Sequence, residues 1–171
     1  MGVHRLILAA VVAVGLLTGC VPQATPEPAS VSTASQPWPA PRDAISYIVA
    51  AGLPQLPLND ETDPHIISLS ITIGDQKVTV PGNIGIDRLR AVQAPVHTHD
   101  DSGQVWLEGT GNRTVTLGQF FTLWGVRFDA SCLGADCGTI QVFADGTELT
   151  GPPADFVLRE AQRSIQIRVT G

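Results

Sequence analysis

The chain has 171 residues, 43% of them hydrophobic, with 16 acidic side chains against 10 basic ones and a formal net charge of −6. That balance gains nothing electrostatically from nucleic acid or from an anionic lipid surface, so neither is an expected partner through charge. Lys77 is the single lysine, and no glycine-rich phosphate loop surrounds it.

His4 and Arg5 form a short basic start, residues 6–17 are apolar apart from glycine, and Leu17-Thr18-Gly19-Cys20 closes the segment. About 12 apolar residues give only ~18 Å of helix, too little for a ~30 Å hydrocarbon core. The pattern resembles the bacterial lipoprotein signal. The resemblance implies removal of residues 1–19, diacylation of Cys20, and a monomer anchored on the extracytoplasmic face of the cell membrane. Without Arg5 the remaining chain holds nine basic residues against 16 acidic ones, so attachment must come from acyl chains.

Residues 20–41 read as the lipidated cysteine and a tether. Pro22, Pro26, Pro28, Pro37, Pro39 and Pro41 punctuate small and polar residues, a composition that favours extended conformers. At ~3.1 Å per residue such a tether holds a domain up to ~65 Å from the membrane. Residues 42–171 are then expected to form one globular domain.

Within that domain, residues 43–51 predict a short helix, with Asp43 as N-cap, Ile45, Ile48 and Val49 on one face, and Gly52 as terminator. Ile67, Leu69, Ile71 and Ile73 alternate with polar residues as a half-buried strand does, and Gly74-Asp75 turns into a return strand at Val78 and Val80. Residues 104–108 alternate again, with Val105 and Leu107 on one face and Trp106 on the other. Thr116 and Gln119 spell a capping box, Val115 and Phe120 a hydrophobic staple. Leu117, Phe120, Phe121 and Trp124 make an apolar helix face, and Gly125 offers a left-handed cap. Residues 139–144 and 164–169 read as strands, the first followed by the hairpin signal Asp145-Gly146. The order predicts an α+β domain, one helix on a mostly antiparallel sheet of β-grasp-like complexity, with a small β-sandwich as the alternative.

With Cys20 assigned to lipid, Cys132 and Cys137 remain as an even pair. In an oxidising compartment they predict a local disulfide; the alternative is a thiol pair holding Cu(I) or zinc.

One stretch carries the residue types of chemistry: His97-Thr98-His99-Asp100-Asp101-Ser102-Gly103. In extended backbone His97 and His99 point to the same side ~7 Å apart, close enough to converge on one ion. Asp100 supplies an oxygen nearby, and His65, ahead of the first long strand, is the remaining histidine after the leader. The expected ligand set is therefore His97 and His99, with His65 and Asp100 as weaker members, and the expected ion is copper or zinc. The rival is a polar turn whose histidines serve structure alone. The letters H-x-H-x-D also open a metallo-β-lactamase-type motif, but Ser102 stands where its next histidine belongs and no histidine follows His99. Nor does a Gly-x-Ser-x-Gly elbow accompany Ser102, His99 and Asp101. No catalytic residue is expected.

Pro81-Gly82-Asn83-Ile84-Gly85-Ile86, His97-Thr98-His99-Asp100, Ser102-Gly103, Glu108, residues 116–121 (TLGQFF) and Trp124-Gly125 together resemble an uncharacterised family of exported prokaryotic proteins. The resemblance covers about residues 64–169 and implies one order of hairpin, loop, strand, capped helix and closing hairpin. Members of that family carry further histidines ahead of the first strand and at the position of Trp106. The resemblance thus implies a site reduced here in histidine, or one that substitutes Cys132 and Cys137. The functional expectation is a lipid-anchored metal-binding module; a non-catalytic envelope interaction protein is the rival.

Overall fold

A computed structural model describes residues 28–171. The leader, Cys20 and the start of the tether lie outside the described residues. In chain order these form helix α1 (Ala44–Ala50), strands β1 (Leu56–Pro57), β2 (His65–Ile73), β3 (Gln76–Val78), β4 (Ile86–Asp87), β5 (Val92–Gln93), β6 (Val96–His97) and β7 (Gln104–Leu107), then helix α2 (Leu117–Trp124). Strands β8 (Cys132–Leu133), β9 (Asp136–Cys137), β10 (Thr139–Ala144), β11 (Thr147–Glu148) and β12 (Ser164–Thr170) complete the chain. No helix among the described residues is long and apolar enough to cross a membrane.

The architecture is the expected α+β one. A seven-stranded sheet runs β11-β10-β12-β2-β7-β6, with β3 also paired to β2. Most pairings are antiparallel, but the central pair, β12 beside β2, is parallel, with Ser164 opposite Ser68 and Val169 opposite Ile73. Hairpin signals alone do not reveal that pairing, because a parallel neighbour is joined by a long connection and leaves no turn motif.

Alternation divides the sheet into two faces. Ile67, Leu69, Ile71, Val105, Leu107, Ile165, Ile167 and Val169 enter one core with the α2 residues Leu117, Phe120, Phe121, Leu123 and Trp124. Helix α2 begins as its sequence dictates: Thr116 Oγ1 accepts from the Gln119 amide at 3.2 Å, and Gln119 Oε1 accepts from the Thr116 amide at 3.0 Å. Gly125 ends it in the left-handed region at φ 70°. A Cβ there would stand 2.7 Å from the Tyr47 ring, so the position needs glycine twice over. Helix α1 departs from its expected face. Ala44 and Ile48 are buried, but Val49 points to solvent at 63% exposure, and Asp43 makes no side-chain bond to the helix backbone. Asp43 instead accepts from Ser46 Oγ at 2.7 Å.

The free tether expected up to residue 41 is not what the described part of it does. Ser32 donates its amide to Gly125 O at 2.7 Å and accepts from the Arg127 amide at 3.0 Å, a short parallel bridge. Trp38 is only 5% exposed. Its ring meets Trp124 edge-on at 5.9 Å, and its carbonyl accepts from Trp124 Nε1 at 2.9 Å. Tyr47 donates to Ser30 O at 3.0 Å. Composition pointed to a spacer because prolines dominate; one large apolar side chain in their midst turns residues 30–41 into a strap on the domain.

Candidate metal centre

Strand β6 pairs with β7 so that His97 lies opposite Trp106. Trp106 and Glu108 have the same parity, so His97, Trp106 and Glu108 face away from the helix-covered core. That outer face is covered locally by the segments around β4 and β5. Ala94 donates to Gly85 O at 2.8 Å, Thr98 to Ile84 O at 3.2 Å, and Asn83 to Thr98 O at 2.7 Å. Gly82 lies so close to the loop that a Cβ would stand 2.7 Å from Asp100 Cα and 2.8 Å from His99 O. The cover leaves His97 at 0% and Glu108 at 3% exposure, while His99 stays in contact with solvent.

Each side chain is oriented. His97 Nδ1 lies 3.0 Å from the Ala94 carbonyl, which can only accept, so Nδ1 carries the proton and Nε2 presents a lone pair. That Nε2 is 3.3 Å from His99 Nε2 and 3.3 Å from Glu108 Oε1. The His99 ring is held edge-on between His97, at 4.8 Å, and Trp106, at 5.0 Å. The Gln93 side chain lies beside Glu108 and draws its carboxyl downward. Gln93 is itself fixed, its Oε1 accepting from the Asn59 amide at 3.0 Å and its Nε2 donating to Asp60 O at 3.2 Å.

Burial pushes the His97 imidazole down from 6.5 to about 4, against the raising effect of the Ala94 bond. Burial likewise raises the Glu108 carboxyl above its ordinary 4.5, helped by the negative charges of Glu61 and Asp60. At neutral pH the Nε2 of His97 is therefore an acceptor, and it faces a carboxyl that holds its proton more tightly than an ordinary glutamate does. Two lone-pair atoms 3.3 Å apart need something positive between them, a shared proton or a cation. A tetrahedral ion with ligands at 2.0–2.1 Å has ligand–ligand edges of about 3.3 Å, matching the two shortest separations here. His97, His99 and Glu108 form a group able to hold a metal ion, their ligand atoms all within 4.8 Å of one another.

The structure thus brings together two of the four expected ligands and replaces the others. His65 lies opposite Leu107 in the β2–β7 register, on the core face, and its Nε2 donates to Ala161 O at 2.8 Å. The sheet separates it from His97. Asp100 is exposed and closes its own turn, accepting from the Ser102 amide at 3.0 Å, and Ser102 holds its carboxyl below the usual range. Cys132 and Cys137 are bonded to each other, as the local-disulfide reading expected, and a bridged pair supplies no thiolate ligands. The candidate ligand that sequence reasoning missed is Glu108. Its signal was present in the alternation of residues 104–108, which sets Glu108 on the Trp106 side and not among the core residues. What the alternation does not reveal is that β4 and β5 bury that side locally.

No family model, curated protein or solved structure matches the chain.

Proposed function

We propose that this protein is a lipid-anchored extracytoplasmic binding module for a divalent transition metal, zinc or Cu(II), and that it is not an enzyme. The observation that carries the proposal is the convergence of His97 Nε2, His99 Nε2 and Glu108 Oε1, two of whose separations are 3.3 Å. Two imidazoles and a carboxylate are a borderline donor set, suited to zinc and Cu(II). Cu(I) prefers sulfur, and both cysteines after Cys20 are bridged. The leader and Cys20 support the anchored location, and a disulfide suits an oxidising compartment. Export would put the site where such ions are captured from outside the cytoplasm.

The rival reading draws on His97 itself: an imidazole fully buried and bonded to Ala94 O serves structure without any ion, sharing a proton with Glu108. Titration of the purified protein with Zn(II), Cu(II) and Cu(I), repeated on His97→Ala/His99→Ala, separates the two. We expect one equivalent of Zn(II) or Cu(II) at micromolar affinity or better, lost in the double variant. Binding that is absent, or indifferent to the substitutions, leaves the histidines structural.

A further inference from the structure

We infer that an ion held by His97, His99 and Glu108 keeps one coordination position open beside Trp106, and that this position accepts a neutral nitrogen donor in preference to an anion. The inference rests on the metal-binding reading and goes on to name the kind of ligand the bound ion recruits. Among the described residues no fourth histidine, cysteine, aspartate or glutamate joins the group. The nearby candidates are engaged elsewhere. Asp100 closes its turn with Ser102, Gln93 Oε1 is taken by the Asn59 amide, and His65 lies across the sheet. A zinc-type ion with three protein ligands completes its shell from outside, as structural four-ligand sites do not.

The direction of the open corner follows from burial. His97 and Glu108 are the inner walls at 0% and 3% exposure, and His99 is the outer one, so the vacant corner faces solvent on the His99 side. There the ring of Trp106 stands 5.0 Å from His99, and Ile66, opposite Trp106 in the β2–β7 register, is 41% exposed. A flat ring entering the corner finds an aromatic and aliphatic platform.

Charge selects among such ligands. A divalent ion bound by one carboxylate carries a net single positive charge, but Asp60 and Glu61 add their negative field at Glu108, and Asp100 stands beside His99. The arginine ion pairs among the described residues go to Asp43, Asp63, Asp87 and Asp129, none of them in this group. An incoming anion is repelled by several carboxylates; an imidazole, such as a histidine side chain of a peptide or protein, is not.

Cobalt(II) tests this, since its visible ligand-field bands report the coordination shell. The purified protein is loaded with one equivalent of Co(II) and titrated in parallel with imidazole and with sodium azide. We expect imidazole to shift the bands with simple saturation, and to bind about ten-fold more tightly than azide, the ratio produced by about 1.4 kcal/mol of repulsion. Asp60→Asn/Glu61→Gln should narrow that ratio, as should raised salt. Bands that ignore both probes show a closed shell and overturn the inference while leaving the metal site intact. Azide binding as tightly as imidazole, or a ratio unchanged in the double variant, overturns the stated selectivity. Absence of Co(II) bands in the wild-type protein, or equal bands in Glu108→Gln, removes the metal reading and the inference with it.

Discussion

Glu108 and His97 hold opposite preferences for the proton, and that opposition governs how the site responds to pH. For His97 the folded state binds its proton less readily than the unfolded chain does. Its contribution to stability is whole above pH 6.5 and is lost as pH falls toward about 4. For Glu108 the folded state binds the proton more readily. Its contribution is present below 4.5 and is lost as pH rises through the elevated value. In Glu108→Gln only the first effect remains. Urea unfolding of that variant without metal should lose about 2 kcal/mol between pH 6.5 and 4.5, a steeper fall than wild type shows. Equal slopes would mean that the two groups do not oppose each other. Metal binding must displace the protons the ligands carry, so the apparent affinity should weaken as pH falls toward about 4, where the folded protein protonates His97. Competition titrations at several pH values measure this. At this scale the sequence was half legible. His97 and His99 announce themselves by spacing, because they stand two residues apart at the end of β6 and in the turn after it. Glu108 does not, because its partner residues come from another segment and its burial from the chain before β4 and around β5.

At the scale of elements, α2 is the best specified and can be tested where its cap is made. Thr116→Ala removes an acceptor for the Gln119 amide and should cost about 1 kcal/mol in urea unfolding. The strap over residues 30–41 gives a larger effect. Trp38→Ala removes a 5%-exposed ring and should destabilise the protein by about 3–5 kcal/mol. Limited proteolysis should then cut within residues 30–41 faster than in wild type. A strap that stays protected would mean that the backbone bonds of Ser32, not Trp38, hold it. Capped helices and tight hairpins were readable because their signals are local: Thr116 with Gln119, Asp145 with Gly146. The strap and the short strands β1, β4, β5 and β6 were not. Two-residue strands have no period to detect, and Trp38 finds Trp124 across 86 residues of sequence.

At the scale of the whole molecule, the disulfide and the site are separate modules. Cys132 and Cys137 pair across β8 and β9, and their loop packs Gly134 against Trp38, on the strap side of the fold. Cys132→Ser/Cys137→Ser should therefore lower stability by about 2 kcal/mol, the loop-closure value for so short a ring, and leave metal affinity unchanged. A parallel loss of metal binding would tie the two together. The α+β class was legible because alternation and capping fix the number and type of the long elements. Their assembly was not, because the sheet is organised around a pairing between distant segments.

That pairing sets the order in which the molecule can be made. Strand β12, the last strand in chain order, fills the centre of the sheet beside β2. Until residues 164–170 are in place, β2 lacks its parallel neighbour and β10 the strand it lies against. The sheet therefore closes late and all at once, through contacts of long sequence separation, which form slowly. A chain that lacks residues 164–170 has no centre to its sheet. Truncation before residue 164 therefore leaves a chain that cannot close its sheet and that proteases can clear.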